Sequence, residues 1–342
     1  MTTRYSALKA MKYPDRLAAI RDGGVAGPVH VQIILSDLCN QNCAFCAFRD
    51  PGYTSSQLFH EEGNYNPNRM LPYEKVIEIL DDCVDLGVKA VQYTGGGEPT
   101  IHPQFDDVIA ATLERGLQWA VVTNGVRSRD LSTATWIRVS LDAGRRETYA
   151  KIRQCPPRHF DKACATIDRH RPGVGFVVTP DNWREVVEAT RLVKSLGASN
   201  IRIGAQFSGD GIDLHAPYRA EAAALVREAV SLADDRFEVT DRFSEKMDDL
   251  AQGRPEYKRC GYQHFTTYIG ADQNLYRCCV YAYNPRGLLG SIKDRRLKDV
   301  WREIAYPDFR SFDARGCERC QFNRINRGIN EVLEPDLSEA FV

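Results

Sequence analysis

The stretch SDLCNQNCAFCAF, residues 36–48, places three cysteines within eight positions, at Cys39, Cys43 and Cys46. Three thiolates leave one position open. On zinc this gives a catalytic site, and on a [4Fe–4S] cluster it leaves one iron free for a substrate or cofactor. A loop that directly follows a strand can wrap such a cluster within one short segment. Zinc sites more often use CxxC pairs, so the spacing favours the cluster and leaves zinc as the alternative.

Outward from this loop, short β-rich runs alternate with amphipathic helices through the first two thirds of the chain. This alternation predicts a parallel sheet with right-handed crossovers. Glycines and polar residues fall at the carboxyl ends of the runs, the edge that carries the chemistry in barrel-like α/β folds. We therefore expect a closed or partly open barrel, a partial (β/α)6 TIM-like barrel, followed by a small α+β region. The predicted strands are 30–35, 89–99, 117–125, 136–144, 173–180 and 200–207, and the predicted helices are 73–87, 105–116, about 160–170, 183–197 and 218–235.

A second group of cysteines lies near the other end of the chain. Four thiolates can close a metal site completely, so spacing alone leaves tetrahedral zinc as a serious rival to an iron–sulfur cluster. Between these cysteines lie the segments YIGADQNLYRCC and LLGSIKDRRLKDVW, which predict a hairpin and an amphipathic helix. The cysteines of this group are Cys260, Cys278, Cys279, Cys317 and Cys320.

Composition narrows the class of protein. The 342 residues are 43% hydrophobic and 27% charged, the balance of a soluble globular chain, and the net charge of −1 disfavours nucleic acid as a partner. No apolar run reaches the roughly 20 residues needed to cross a bilayer, and the N-terminus lacks the apolar segment of a signal peptide. We expect a cytoplasmic protein without a membrane partner. In that reducing compartment the 11 cysteines indicate metal ligation or catalysis before disulfides.

The CxxxCxxC loop, with Phe45 before its last cysteine, resembles the cluster loop of radical S-adenosylmethionine (SAM) enzymes. The resemblance covers roughly residues 30–207 and implies that Cys39, Cys43 and Cys46 hold a [4Fe–4S] cluster whose open iron is chelated by SAM. In that family one electron from the cluster cleaves SAM to methionine and a 5′-deoxyadenosyl radical, which abstracts hydrogen from the substrate.

Motifs at later strand ends resemble the same family in the expected order. GGGEP follows the second strand, where the family's motif grips the methionine amino group of SAM. VVTNG, VSLDA and YAKIRQ resemble later strand ends whose residues contact the ribose and carboxylate of SAM. A charge-assisted contact between the SAM carboxylate and an arginine fits this pattern. The SAM contacts that the resemblance implies are Gly95, Gly96, Gly97, Glu98, Asn124, Ser140, Asp142 and Arg153.

The C-terminal layout resembles the auxiliary-cluster extension of radical SAM enzymes, known as the SPASM domain and, in shorter form, the twitch domain. The full pattern continues with more cysteines, but none follows Cys320 here. The resemblance therefore implies one auxiliary [4Fe–4S] cluster with four cysteine ligands. Of the adjacent pair, we expect Cys278 to be the ligand. The expected ligands are Cys260, Cys278, Cys317 and Cys320.

Three segments follow from these patterns. We expect an N-terminal segment at residues 1–29, and the resemblance implies a radical SAM core barrel at 30–240 and an auxiliary cluster domain at 255–342. Within the core, residues 47–72 have no clear period and are rich in Gly, Pro, Asn and aromatics, so they indicate a long loop over the rim, of the kind that often acts as a lid or binding loop.

The expected reaction is oxidation of a substrate carbon with electron transfer to the auxiliary cluster, because a fully ligated cluster has no open iron for substrate. Epimerisation is the alternative within the same chemistry, with Cys279 or Cys155 returning a hydrogen atom. A non-catalytic zinc scaffold is the alternative of another class. A base is required, and position alone suggests His60, Tyr65 or Arg202.

The substrate class is a weaker expectation. Only about 29 residues precede the first strand, too few for a peptide-binding domain of ordinary size. This favours a small molecule such as a sugar, aminocyclitol or nucleoside, while a peptide substrate stays open. The electron donor is expected to be a flavodoxin or ferredoxin.

Overall fold

The protein is described here from a computed structural model covering residues 6–50, 57–60 and 66–334, without the side chain of His60. Its core is a curved sheet whose strands alternate with helices. The strands are β1 (His30–Ile34), β2 (Ala90–Thr94), β3 (Gln118–Thr123), β4 (Trp136–Ser140), β5 (Gly173–Val178), β6 (Asn200–Ala205), β7 (Glu238–Arg242), β8 (Thr266–Ile269), β9 (Asn274–Tyr276) and β10 (Leu288–Ser291).

The helices are α1 (Pro14–Arg21), α2 (Tyr73–Asp85), α3 (Phe105–Glu114), α4 (Arg146–Arg153), α5 (Arg158–His170), α6 (Val186–Ser195), α7 (Arg219–Val230), α8 (Phe243–Gln252), α9 (Leu297–Val300), α10 (Tyr306–Ser311) and α11 (Asn323–Leu333). Short 3₁₀ helices span Ala7–Lys12, Leu58–His60, Pro99–Ile101, Trp183–Glu185, Gly211–His215, Tyr262–His264, Cys279–Tyr281 and Ala314–Gly316, and a π-helical turn spans Trp301–Ala305. None of the helices in the described part of the chain is both long and apolar enough to cross a membrane.

Alternation along each strand separates the two faces of the sheet. On β1, Val31 and Ile33 are fully buried in the same cluster as Val76 and Ile79 of α2. The residues between them point to the inside of the barrel, where Gln32 accepts a hydrogen bond of 2.8 Å from Gln92 on β2. A strand with an apolar outer face and a polar inner one is what a barrel with helices outside requires.

The sheet order is β10-β9-β8-β1-β2-β3-β4-β5-β6-β7, with parallel pairing from β8 to β7. The predicted fold class, a partial barrel with a small region after it, is confirmed. Two strands beyond the six expected pair in parallel. One is β8, beside β1, and the other is β7, which pairs with β6 from Asn200↔Glu238 to Gly204↔Arg242. Its sequence, EVTDR, buries only Val239 fully and carries no apolar alternation, so the pattern did not reveal it.

The C-terminal region continues the sheet instead of standing apart from it. Strand β8 pairs in parallel with β1, from His30↔Thr266 to Ile33↔Ile269, and the hairpin partner β9 pairs antiparallel with β8. Main-chain hydrogen bonds therefore join the two regions edge to edge. The division at about residues 240–255 stays a prediction.

The amino-terminal end of the barrel lies beside the first and last helices. Leu17 of α1 and Ile329 of α11 share a buried cluster with Val29 and Phe265, the residues just before β1 and β8. Both ends of the described chain therefore meet beneath the barrel, at the end opposite the cysteine loop.

Candidate active site

The cysteine loop leaves the carboxyl end of β1. Burial raises the pKa of the Cys39 thiol to about 11 and that of Cys43 to about 12, and repulsion from the neighbouring sulfurs, including Cys46, adds to both shifts. The protein alone thus holds Cys39 and Cys43 as neutral thiols, and all three sulfurs lie close enough to interact. Because metal ligation needs thiolates, a cationic group must supply the compensating charge.

Gly96 and Gly97 of GGGEP lie directly against this loop. A Cβ on Gly97 would stand 2.1 Å from the Leu38 carbonyl oxygen, and one on Gly96 would stand 2.4 Å from Asp37 Oδ1. The amide of Gly97 donates to the Ser36 carbonyl at 2.9 Å. None of the motif's three glycines has a positive φ, so close approach, and not a left-handed backbone, is what requires glycine here.

Glu98 joins the ends of β2 and β3. Its Oε1 accepts hydrogen bonds from the hydroxyls of Thr100 and Thr123, both 2.6 Å, and its Oε2 accepts from the amide of Asn124 at 2.8 Å. Asn124 in turn donates from Nδ2 to Asn40 Oδ1 at 2.6 Å. The predicted SAM contacts Glu98 and Asn124 therefore hold each other and the cysteine loop in place.

Asp142 and Arg153, both predicted SAM contacts, form a buried ion pair with each other. Asp142 Oδ1 also accepts from the Val177 amide at 2.6 Å, and burial raises the pKa of Asp142 against the attraction of Arg153. Arg153 Nη1 donates to Gln41 Oε1 at 2.7 Å and lies 3.9 Å from Cys43 Sγ. Its Nε is buried without a hydrogen-bond partner among the described residues.

The remaining predicted residues occupy separate places. Ser140 ends β4 and is half-buried. Cys155 Sγ is 3.7 Å from Gln41 Nε2, so Gln41 connects it to Cys43. Arg202 lies on β6 and is half-buried. Of the candidate bases, Tyr65 and the side chain of His60 lie outside the described residues.

Two residues of the long rim loop and its border hold the cysteine loop, and neither stood out in the sequence. Asn66 accepts from the Cys39 amide at 3.1 Å and donates to the Cys39 carbonyl at 2.9 Å. Arg49, which is 2% exposed, donates to Asn66 Oδ1 at 2.7 Å and lies 3.7 Å from Cys46 Sγ. Single polar residues inside an aperiodic loop carry no sequence signal for such a role.

A polar network connects the cysteine loop to the C-terminal region. Asp37 accepts from the Tyr283 hydroxyl at 2.5 Å and from Arg69 Nε at 2.9 Å. Burial raises the pKa of Asp37 to about 7, against the opposing pull of these two donors. The Tyr283 ring packs edge-on against Phe59, 5.2 Å between centroids. The contact between the two regions is therefore polar at its centre and aromatic around it.

The second cysteine group converges in the C-terminal region. Four of its members line one small cavity: Cys260, Cys278, Cys317 and Cys320. Cys279 does not line that cavity. It packs instead against the aromatic cluster that contains Phe59, Tyr268 and Tyr283, and it hydrogen-bonds to the Tyr268 hydroxyl. The adjacent cysteines thus face different surroundings.

Several donors surround the Cys320 sulfur. The Tyr257 hydroxyl and the Phe322 amide each lie 3.2 Å from Sγ, and Asn326 Nδ2 lies 3.8 Å away. Lys246 is buried nearby, where it pairs with Asp249. Such donors stabilise negative charge on a sulfur ligand.

The cysteine geometry differs from that of a mononuclear metal site. Among the described residues, no group of three or more His, Cys, Asp or Glu side chains is placed to hold a single metal ion. Thiolates about 2.3 Å from one zinc ion must lie within about 4 Å of each other. In a four-iron cluster each thiolate binds a different iron, which spreads the ligands further apart.

Comparison with known proteins agrees with this chemistry. Residues 33–193 match the radical SAM superfamily, and residues 260–321 match SPASM, an iron–sulfur cluster-binding domain. The chain therefore contains a radical SAM domain followed by an iron–sulfur cluster-binding SPASM domain. Its cofactors are a SAM-binding [4Fe–4S] cluster, an auxiliary iron–sulfur cluster and SAM. The iron–sulfur assignment of both cysteine groups replaces the zinc alternative.

Similarity to individual relatives is partial. The chain is 24% identical over 190 residues to a tungsten-containing aldehyde ferredoxin oxidoreductase cofactor-modifying protein of Pyrococcus furiosus, which covers 49% of each chain. It is 30% identical over 150 residues to a probable GTP 3′,8-cyclase of Methanosarcina mazei, 40% of each chain. The chain therefore spans about half or less of the curated relatives that it matches.

The fold also resembles that of solved structures. Streptococcus suis SuiB, bound to precursor peptide SuiA, superposes with a TM-score of 0.63 over 95% of this chain and 78% of that chain, at 16% identity. At that identity the likeness establishes the shared fold alone.

The residues present fit both cofactors. The buried thiols need positive charge, the glycines leave space that any Cβ would fill, and Arg153 Nε offers a donor beside Cys43. The C-terminal cavity presents four sulfurs. The donor set is that of iron–sulfur clusters.

Proposed function

We propose that this radical SAM enzyme oxidises a small-molecule substrate and passes one electron to its auxiliary cluster. When bound and reduced, the first cluster supplies the electron that cleaves SAM into methionine and a 5′-deoxyadenosyl radical. The substrate would then lose a hydrogen atom from the reacting carbon to the deoxyadenosyl carbon, a proton from an adjacent atom to a base, and one electron to the auxiliary site. A flavodoxin or ferredoxin is the proposed donor that keeps the first cluster reduced and the proposed acceptor of the auxiliary electron.

The observation that carries this proposal is the environment of the auxiliary cysteines. Cys260, Cys278, Cys317 and Cys320 line one cavity, while Cys279 faces the aromatic cluster. A site with four thiolate ligands leaves no iron open for substrate, so electron transfer is the role that remains to it. The donors around Cys320 favour the reduced, more negative state, as an electron acceptor requires.

We assign the first cluster to Cys39, Cys43 and Cys46, and SAM to the edge formed by the ends of β2, β3 and β4. Glu98 would exchange one of its present hydrogen bonds for the SAM ammonium group. Arg153 would direct its free Nε toward a carboxylate while Asp142 holds its orientation. Gly95, Gly96, Gly97, Asn124 and Ser140 complete the proposed set.

Two serine variants test the auxiliary ligands. Cys278→Ser should lose about four of about eight irons per chain after anaerobic reconstitution, and Cys279→Ser should keep nearly all of them. The two residues are neighbours of equal size, so each variant controls for the other. Equal iron loss in both, or loss only in Cys279→Ser, refutes the assignment.

Epimerisation is distinguished by the origin of hydrogen in the product. A cysteine donor exchanges its thiol hydrogen with solvent, so an epimerase working in D₂O places deuterium on the reacting carbon. The proposed oxidation places none there and reduces the auxiliary cluster in single-turnover spectra. Deuterium in the product that disappears in Cys279→Ser or Cys155→Ser establishes epimerisation instead.

Peptide modification is the second candidate, favoured by the fold shared with SuiB, whose structure contains a precursor peptide. Substrate-dependent formation of 5′-deoxyadenosine separates the candidates. Reduced holoenzyme with SAM is incubated with pools of small molecules or of peptides, and 5′-deoxyadenosine and product masses are followed. Stimulation by peptides alone refutes the small-molecule assignment.

A further inference from the structure

A large cavity opens at the amino-terminal end of the barrel, away from the cysteine loop. Its volume is about 900 Å³, within the range of ligand sites. Its walls include the first residues of seven strands, β1 to β6 and β8, with the 3₁₀ helix Ala7–Lys12 and helix α11 beside the mouth. It is therefore the lower part of the barrel interior and not a crevice between outer helices.

The lining of this cavity carries positive charge without acidic residues. Lys9, Arg138 and Arg171 line it together with His30 and His170, and no Asp or Glu does. Burial, and repulsion from Lys9, lower the pKa of His30 to about 4. Among the described residues, Lys9, Arg138 and Arg171 take part in no ion pair. Cations gathered in a concave, partly desolvated site focus a field that attracts anions.

Aromatic side chains supply the rest of the wall. Trp119, Trp136 and Tyr262 line the cavity, and the Arg138 guanidinium carbon lies 5.9 Å from the centre of the Trp136 ring. Trp136 is 41% exposed, which is unusual for so large an apolar side chain inside a fold. Flat apolar surface beside an arginine suits a ring or chain that carries an anionic group.

The cavity reaches towards the SAM edge. Arg138 is the third residue of β4, and Ser140, two residues further on the same face, lies about 7 Å higher along the strand. The charge of Arg138 already acts on Asp142 at that edge. Across the sheet, Gly175 leaves room for the stem of Arg138, whose Cδ would lie 3.5 Å from a Cβ at that position, and the Asn200 side chain covers Gly173.

We propose that this cavity binds the anionic end of the substrate, a carboxylate or phosphate held by Arg138 and Lys9, with its apolar body against Trp136. The inference rests on the proposed function and deepens it by naming the substrate class, a small organic anion. The reacting carbon would then point up the barrel, towards the SAM edge.

Calorimetry on the oxidised, reconstituted holoenzyme tests the site without any turnover. Benzoate and phenyl phosphate are the probes, inorganic phosphate tests the anion alone, and benzamide is the neutral match for benzoate. We expect benzoate or phenyl phosphate to bind, benzamide to bind at least tenfold more weakly, and saturating SAM not to compete. Whichever of benzoate and phenyl phosphate binds more tightly shows whether the anionic group of the substrate is a carboxylate or a phosphate.

Substitutions of the lining residues test whether the probe binds in this cavity. Arg138→Gln and Lys9→Gln should each weaken anion binding by about tenfold, because each removes a charge-assisted contact. Arg138→Lys should keep most of it, which separates lost charge from lost folding. Arg191→Gln, on the exposed surface of α6, is the matched control and should bind as the wild type does.

The proposal is overturned by equal binding of benzamide and benzoate, by unchanged binding in Arg138→Gln, or by no binding of any probe at millimolar concentration. Competition by SAM also overturns it, because the probe would then occupy the SAM site. The calorimetry needs no SAM cleavage. A wild-type protein that binds the probes but fails to cleave SAM refutes the proposed function alone, and one that cleaves SAM but binds no anion refutes this inference alone.

Discussion

Replacing Gly97 by alanine should displace the cysteine loop. The new Cβ would stand 2.1 Å from the Leu38 carbonyl oxygen and 2.5 Å from that of Asp37, where ordinary contacts begin near 3.4 Å. The loop or the turn must therefore move by about 1 Å, and Leu38 directly precedes Cys39. Overpacking of this kind costs about 1–3 kcal/mol. Weakening the two main-chain hydrogen bonds between turn and loop adds about 1 kcal/mol each, so we expect a loss of about 3–5 kcal/mol.

Gly204→Ala is the matched control for this substitution. No atom lies within 4 Å of the Cβ that it would add, and Gly204 does not have a positive φ. Its stability should change by less than about 1 kcal/mol, and it can rise because the unfolded chain becomes less flexible. Both variants remove one glycine from the barrel, so they differ chiefly in what the new methyl group meets.

The assay has two parts. Urea denaturation of the metal-free proteins gives the stability difference, and iron analysis after anaerobic reconstitution gives the clusters retained. Gly97→Ala should lose about four of about eight irons, those of the first site, and should form no 5′-deoxyadenosine on reduction with SAM. The reasoning fails if Gly97→Ala matches Gly204→Ala in iron content and in SAM cleavage.

Three further substitutions test contacts around the two cysteine groups. Arg153→Met should lower the free energy of unfolding by about 3–5 kcal/mol, because it leaves Asp142 buried and unpaired. Adding Asp142→Asn should recover part of this stability. Additive losses for the two substitutions in urea denaturation contradict the pairing. Tyr257→Phe removes a hydrogen-bond donor to Cys320 and should lower the reduction potential of the auxiliary cluster, by about 40 mV for each kcal/mol of hydrogen-bond energy lost. An unchanged reduction potential in an EPR-monitored titration contradicts this. Asn66→Ala should lose iron from the first site, and the exposed neighbour variant Asn68→Ala should not; equal iron contents refute the role of Asn66.

The sequence predicted the barrel because its strands obey local rules. β1 to β6 are β-rich runs, most of them separated by amphipathic helices, and each lies where the pattern expects it. The sequence did not predict β7, because this strand has no apolar alternation of its own and is held in the sheet by its pairing with β6. The pairing of β8 with β1 was equally invisible, since it joins residues more than 230 positions apart and depends on no local preference.

The candidate site divides in the same way. Cysteines can be recognised by residue type and spacing, so both groups could be found in the sequence. The contacts that hold them could not, because Gln41, Arg49 and Asn66 are ordinary polar residues whose partners come from distant segments. Asp142 and Arg153 were predicted to meet SAM separately, and only the folded chain brings them to each other.

The shared sheet gives the two cysteine groups a fixed separation. The cysteine loop follows β1, and Cys278 lies two residues beyond β9, which pairs with β8, which pairs with β1. A slip of one residue between β8 and β1 would turn every side chain of β8 to the opposite face and carry Cys278 away from its cavity. A side-chain hydrogen bond, from the Tyr283 hydroxyl to Asp37 at the carboxyl end of β1, also holds the C-terminal region in this position relative to the cysteine loop. The proposed transfer of an electron from the substrate to the auxiliary cluster would need a constant separation between the two cysteine groups, and the main-chain pairing of β8 with β1 supplies it.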